Sequence, residues 1–473
     1  MARTNTVVAV LRADDPAWEQ WLGNAHRDVF HRAGYHRFAQ GSGEGDPYLV
    51  VVGDEHKGLA WPYLLRPVSG IPNIPESDAT DVTSVYGYPG PVAWGCGPDD
   101  PFLGRAWLEV QAVWRHQKAV AAFTRFHPLL DNAGIGRSFV TAAGPTAPIA
   151  HVGETISVDL TLGYEGARSL YGRDLRREID RSRRYGLITK DDPDWGELAT
   201  FARLYRDTMT RLHASDSYYF DQDDFIRLRA ALAGELHLLV TRVDGAVAAA
   251  GLFTEWDGII EWFLVGTDSA FISRSPSKVL VDDAIAWAIG RGARILHLGG
   301  GRGGADDSLK WFKARFSPRR HAFHTGKWVL DARRYAELNE ARGADLAGNA
   351  VVDNWFFPAY RAPLLASEAP TNRASELDVR PIEAKDAEAL GELLVRIDST
   401  YFQPHPMTAD EASRIGRLSG RDVYMIGRAG GEAVAYGMLR GWDEGYEVPS
   451  LGVGVRRDQT HRGYGRAMVL ALH

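Results

Sequence analysis

A single cysteine, Cys96, in 473 residues excludes an intramolecular disulfide framework and any zinc site built on paired cysteines. Such thin cysteine usage fits a reducing compartment. No apolar run approaches the roughly 18 residues that cross a bilayer; Ala246 to Phe253 is typical and falls far short. The opening stretch MARTNTVVAVLRADD holds too brief an apolar run for a secretory signal. A basic excess is also missing. The 54 Lys+Arg stand against 61 Asp+Glu, a net charge of −7, which argues against a dedicated nucleic-acid protein and for no DNA partner. No repeat at solenoid spacing is evident. What remains is the expectation of a cytoplasmic enzyme with no transmembrane segment, whose 45% apolar content and 14 Trp suffice for several buried cores.

Periodicity and punctuation divide the chain into a first segment to about residue 150, a second over 151–332, a helix and linker over 333–375, and a third from 376 to 473. The first segment reads as a helix over Trp18–Phe38, strands at Tyr48–Val52 and Leu59–Leu65, a helix near Phe102–Gln117 and a strand at Val120–Phe126. The second reads as a strand at Thr155–Leu160, a basic helix over Arg168–Tyr185 and helices over Trp195–His213 and Asp221–Ala233. Three strands follow, joined by Asp244-Gly245 and Asp257-Gly258, dipeptides that favour two-residue hairpin turns. A helix from Pro276, a strand at Arg294–Leu298, a helix over Ser308–Phe316 and a strand at His321–Leu330 complete it. From Leu377 the same order recurs, up to a glycine turn and a last helix. The fold class expected is α/β, a mixed sheet flanked by helices.

The sharpest motif runs from Leu451 to Ala467, LGVGVRRDQTHRGYGRA. A strand ends, a basic loop turns through Gly463 and Gly465, and a helix begins. Bare glycine backbone and a helix N-terminus together suit a pyrophosphate. Thr460-His461-Arg462-Gly463-Tyr464-Gly465-Arg466 resembles the acyl-CoA loop of the GNAT acyltransferases, with Thr460 where that family carries Gln or Arg. The resemblance implies acetyl-CoA or another acyl-CoA as co-substrate, Val453 and Val455 against the pantetheine amides, and Thr460 to Arg466 around the diphosphate. An acceptor amine must lose a proton, so a base near that strand is wanted. Glu447 is the candidate, with Glu444 or a water chain behind it; the alternative is that Glu447 caps a loop. The family's final strands and helix are missing from this segment, so the third domain is expected to be incomplete at its C-terminus.

A second glycine-rich stretch, Leu298-Gly-Gly-Gly-Arg-Gly-Gly-Ala-Asp-Asp-Ser-Leu-Lys-Trp-Phe-Lys313, matches G-x-G-x-x-G at Gly299, Gly301 and Gly304. Asp306 and Asp307 at the helix start would repel a diphosphate, which weighs against dinucleotide binding. Spacing puts Leu309, Phe312 and Phe316 on the buried stripe of that helix, with Lys313 at its border. The stretch resembles the Gly-Gly…Phe-Lys region of the Fem-type aminoacyl or acyl transferases, tandem GNAT enzymes acting on amines of cell-envelope precursors. Tyr86-Gly-Tyr-Pro-Gly-Pro91, Arg125-Phe-His-Pro-Leu129 and Leu175-Arg-Arg177 extend the likeness over 15–330. It implies a catalytic role for Lys313, steadying a developing oxyanion or the donor ester. The loop Thr267–Pro276 has no glycine cradle, which leaves aminoacyl-tRNA open as the donor of this region.

The arginines of 168–184 suit either an anionic sugar-diphosphate acceptor or a tRNA backbone, with Arg176 and Arg177 as the candidate contacts; otherwise they form a solvated helix with i,i+4 ion pairs. Asp221, Asp223 and Asp224 read as a helix start, and Ser217-Tyr218-Tyr219-Phe220 as core lining. His26, His31 and His36 recur every five residues, which is no single helical face, and no metal is expected. The function expected is transfer of an acyl group from acyl-CoA to an amine, on an amino sugar or a lipid- or nucleotide-linked sugar precursor of the cell envelope. The alternatives are an aminoacyl-tRNA-dependent peptidoglycan-bridge transferase and a non-catalytic precursor-binding protein.

Overall fold

Both Asp-Gly pairs form the hairpins expected of them, and these hairpins organise the largest sheet. Asp244 and Gly245 have φ of 51° and 81°, Asp257 and Gly258 of 44° and 75°, the double positive φ of a type I′ turn. They join β9 (Leu236–Val243), β10 (Ala246–Trp256) and β11 (Ile259–Thr267) into an antiparallel meander. The computed structural model describes residues 7–136, 149–212, 214, 218–343, 356–362, 377–397, 406–443, 450–460 and 462–472. They fall into two compact units, the first comprising the described residues up to 343 and 356–362, the second those from 377 to 472.

The first unit is built on one sheet of thirteen strands. One half contributes β1 (Val7–Arg12), β2 (Asp46–Gly53), β3 (Gly58–Pro67), β4 (Thr80–Thr83), β5 (Val92–Trp94) and β6 (Ala119–Arg125). The other contributes β7 (Ile149–Asp159), β8 (Ile188–Asp191), the meander, β12 (Ile295–Gly300) and β13 (Arg320–Val329). The order is β1-β2-β3-β4-β6-β13-β7-β12-β11-β10-β9-β8, with β5 on β3. Late strand β13 pairs with both β6 and β7 and so welds the halves. Its Trp328 is buried against Trp61 and Trp107 of the first half. Each half contains one parallel pair, β4 with β6 and β11 with β12.

Helices cover the sheet where apolar spacing demands it. The Pro101–His116 helix buries Leu103, Trp107, Val110 and Trp114, and the Pro276–Gly290 helix buries Val279, Leu280, Ala284 and Ile285. Two expected helices are shorter than their periodicity suggested. Trp18–Phe38 is the Ala17–Leu22 helix, a 3₁₀ turn at Val29–His31 and the Ala33–Gly41 helix; Asp28 caps the turn and stops continuous winding. Arg168–Tyr185 breaks into Gly163–Ser169 and Arg173–Arg184, where the Gly172 N–H leaves the helical ladder to donate to the Arg315 carbonyl.

The second unit is a four-stranded antiparallel sheet, β14 (Asp378–Pro381), β15 (Val423–Ala429), β16 (Glu432–Arg440) and β17 (Ser450–Val455), in that order. Helices Ala387–Leu394 and Ala409–Ile415 supply Leu390, Leu393, Leu394 and Ile415 to one core, and Tyr464–Leu472 supplies Tyr464 and Met468 to another. The molecule is mixed α/β throughout. Among the described residues no helix is long and apolar enough to cross a membrane.

Candidate functional site

The parallel pair β11–β12 holds together over three residues only. Ile259, Ile260 and Glu261 face Ile295, Leu296 and His297. Beyond that point β11 stays with β10, through Leu264↔Leu252 to Thr267↔Ala249, while β12 stays with β7, ending at Gly300↔Thr155. A register shift between His297 and Gly299 bends β12 further. The two strands part like the arms of a V, and Glu261 and His297 stand at its closed end.

Lys313 reaches this gap from the Ser308–Ala314 helix. Asp307 starts that helix, its carboxylate accepting from the Lys310 N–H at 2.9 Å and the Arg302 N–H at 3.0 Å. This aspartate therefore closes the glycine loop upon itself, and a Cβ at Gly301 would strike it. A diphosphate cradle does not form there. The expected stripe is also corrected: Leu309 is exposed and Phe312 only half-buried, whereas Lys313 is buried. The Lys313 Nζ donates to the Gly300 carbonyl at 2.7 Å and lies 5.6 Å from the centre of the Trp262 ring. Burial pulls its pKa down to about 8, against the opposing pull of Asp307 and Glu261. Gly299 has φ of 74°, and a Cβ there would sit 3.3 Å from Lys313 Nζ and 3.4 Å from the Tyr88 hydroxyl. Lysine and tyrosine thus converge on one bare stretch of backbone. The Tyr88 oxygen also accepts from the Gly300 N–H, and burial next to Glu261 raises its pKa.

Behind the gap lies a buried polar cluster that spacing did not single out. Nδ1 of His297 is 2.8 Å from each carboxylate oxygen of Glu261. Glu261 lies 4.0 Å from Nε2 of His127, which is 2.9 Å from Oδ2 of Asp28. All four side chains are buried. Burial and the neighbouring Asp28 push the Glu261 carboxyl well up; burial and the nearby His127, His321 and Lys313 push His297 well down. The signal available in sequence was a lone Glu in IIEWFLV and a lone His in ILHLGG, polar residues amid apolar strand runs. Asp28, His127 and Glu261 offer ligand atoms within 4.8 Å of one another, close enough for a cation. The hydrogen bonding assigns them otherwise. Leu129 N–H donates to Nδ1 of His127 at 3.2 Å, so the neutral ring carries its proton on Nε2 and donates it to Asp28. A metal would need a lone pair there.

The remaining candidates lie elsewhere. Arg176 and Arg177 are exposed on the Arg173–Arg184 helix, and Arg177 is 4.0 Å from Asp174. Other arginines of that cluster are held internally, Arg168 by Asp180 and Arg183 by Asp282 and Asp283. His31 and His36 are buried; Nδ1 of His31 accepts from the Asp28 N–H and His36 Nε2 is 3.2 Å from the Phe30 carbonyl. Asp221 caps its helix as expected. Tyr219 is exposed rather than core-lining, and Ser217 lies outside the described residues.

In the second unit Val453 and Val455 are half-buried on edge strand β17. Gly463 has φ of 80°, which favours glycine. A Cβ at Gly465 would meet only Val455, at 3.6 Å, an ordinary contact. Thr460 Oγ1 donates to the Arg457 carbonyl, Arg462 is exposed, and the Tyr464 ring is buried in the core. Arg456 is taken up by Glu432 and Asp458. Glu444, Glu447 and His461 lie outside the described residues, as does the side chain of Arg466.

Residues 170–312 match a family model described as an acetyltransferase (GNAT) domain. No curated protein matches the chain by sequence. Among solved structures, FemX aligns at 11% identity over 70% of this chain and 99% of its own, with a TM-score of 0.54. A conserved protein from Bacteroides thetaiotaomicron aligns at 11% identity over 68% of this chain and 100% of its own, TM-score 0.47. A tandem GNAT protein from the clavulanic acid biosynthesis pathway does so at 12% over 68% and 98%, TM-score 0.38.

Proposed function

Since residues 170–312 are a GNAT acetyltransferase domain, set in a unit with the FemX fold, we propose that the chain transfers an acyl group to an amine at the β11–β12 gap. The observation that carries this reading is Lys313, the buried residue of its helix, held over the bare backbone of Gly299 and Gly300. An attacking amine turns the donor carbonyl oxygen into an oxyanion. An ammonium in a desolvated gap stabilises that charge far more than it does in water, because little solvent competes for it. Tyr88 supplies a second donor on the same spot.

In the same reading the second unit takes the acyl-CoA. Thr460 to Arg466 surround its diphosphate, through backbone N–H groups at Gly463 and Gly465 and the charge of Arg462, while Val453 and Val455 meet the pantetheine. Support comes from the positive φ of Gly463 and from the room left at Gly465, where the fold itself does not require glycine. Glu447 serves as the base of that unit. Arg176 and Arg177 contact the phosphates of an amino-sugar or cell-envelope precursor, which suits their exposure.

One observation favours aminoacyl-tRNA as donor to the first unit. The chain after β11 enters a 3₁₀ turn capped by Asp268 and starts its helix at Pro276, which lacks an N–H. Lys278 is held there by Glu178, so this helix start makes a poor diphosphate cradle.

The test is transfer by the full chain from acetyl-CoA and from alanyl-tRNA to a panel of amino sugars and envelope precursors. Lys313→Ala should lower kcat by about 10²-fold or more with KM nearly unchanged. Undiminished turnover would place the reaction elsewhere.

A further inference from the structure

The Glu261–His297 pair closes the gap where transfer is proposed, yet neither residue has a part in the reading above. Nδ1 of His297 approaches both carboxylate oxygens of Glu261 at the same 2.8 Å, as an N–H shared between two acceptors does. This geometry fits a ring with its proton on Nδ1 and its lone pair on Nε2. Nε2 is buried and has no hydrogen-bond partner among the described residues. A buried polar atom left unpaired costs on the order of 1–3 kcal/mol, so a fold that keeps one invites an explanation.

We infer that His297, oriented by Glu261, takes the proton of the acceptor amine in the first unit, with Asp28 and His127 as positioning residues behind it; this rests on the transfer reading above. The cluster is assembled from both halves of the thirteen-stranded sheet. Glu261 and His297 are the last paired residues of β11 and β12, Asp28 caps the Val29–His31 turn and His127 follows β6. Asp28 accepts from the Val29 N–H at 2.7 Å and from His127 at 2.9 Å. Burial and the neighbouring Asp28 push the Glu261 carboxyl up, toward taking a proton. Lys313 from its helix, His321 from β13 and Tyr88 from the loop after β4 complete the groups facing the imidazole.

The step balances within these residues and an acyl ester or thioester donor. The amine gives a proton to Nε2 as the Nδ1 proton moves to Glu261. The nitrogen lone pair forms the bond to the carbonyl carbon, and the carbonyl π pair moves to the oxygen beside Lys313. When that oxygen reforms the double bond, the carbon–sulfur or carbon–oxygen bond breaks. The leaving group takes the second proton of the nitrogen, Nε2 releases the first to water, and Glu261 returns its own to Nδ1. Tautomer and charge are then restored.

A base matters most when the nucleophile arrives protonated and has no lone pair until that proton is removed, which makes the role separable from a structural one. The full chain, supplied with acetyl-CoA or alanyl-tRNA, is assayed at neutral pH with propylamine, which is protonated there, and with hydroxylamine, which is not. His297→Gln should reduce transfer to propylamine by about 10²-fold or more, and transfer to hydroxylamine by less than about tenfold. Glu261→Gln keeps a partner for the imidazole but takes up no proton; it should show the same selective loss and serves if His297→Gln does not fold. Equal losses on both nucleophiles, or no loss on either, would overturn the assignment. A wild-type chain transferring to neither from either donor would instead overturn the transfer reading, and this inference with it. Wild-type activity that loses Lys313 dependence but keeps the nucleophile selectivity would leave His297 as the base and remove only the oxyanion role.

Discussion

Nζ of Lys313 lies 2.7 Å from the carbonyl oxygen of Gly300, at the bend where β12 leaves β11. A charged side chain is thereby held inside a unit by a backbone acceptor and an aromatic face. Such an arrangement favours a reaction over stability, and it can be measured as both.

Lys313→Met should stabilise the first unit at neutral pH while abolishing transfer. The folded-state pKa of about 8 lies below the ordinary lysine value of 10.5, so the folded state binds this proton less tightly than the unfolded chain does. The resulting penalty is full below pH 8 and vanishes as pH rises to about 10.5. After allowance for the lost hydrogen bond, the gain should be on the order of 2 kcal/mol. Urea unfolding across pH 7–10.5 should show wild type and variant converging at the alkaline end; a gap independent of pH would contradict the assignment.

The same group sets an alkaline limb on the rate. An ammonium that steadies an oxyanion is lost on deprotonation, so kcat should fall above about pH 8. Lys313→Arg stays charged over that range and should flatten the limb, whatever activity remains.

Gly463→Asp should abolish acetyl-CoA binding by the full chain in calorimetry, since it places a carboxylate in the proposed cradle and a side chain at φ of 80°. Gly463→Ala, which adds strain without charge, should weaken binding less. Undiminished affinity in the aspartate variant would remove this loop from the site.

Asp386 is the electrostatic anchor of the second unit. Arg380 bonds it twice, at 2.7 and 2.6 Å, and Arg428 once at 3.2 Å, which holds its carboxyl well below the usual range. Stability from these contacts is present above the ordinary carboxylate pKa and drains away as pH falls below about 4. Asp386→Asn should lower the stability of this unit by about 2–4 kcal/mol at pH 7, read by hydrogen exchange over residues 377–443. The difference from wild type should narrow in acid.

Much of the architecture was legible along the chain because it is local. The Asp-Gly turns, Pro276 at the head of its helix and the alternation of β9–β11 all act over a few residues, and each stands where its chemistry put it. The glycine turn at 463 and the aspartate caps at 221 and 307 belong to the same class. Where a long-range partner intervened, periodicity misled: Gly172 gives its N–H to Arg315, and one helix becomes two.

The polar cluster belongs wholly to that second category. Asp28, His127, Glu261 and His297 are separated by up to 269 positions, and only the pairing of β13 with β6 and of β12 with β11 brings them together. The scarcity of cysteine and of long apolar runs bounded what the protein is, and local turn chemistry determined most of its elements. The burial of Lys313 and the unpaired nitrogen of His297 were decided by the tertiary structure alone, because desolvation is a property of what surrounds a residue and leaves no mark on its neighbours in the chain.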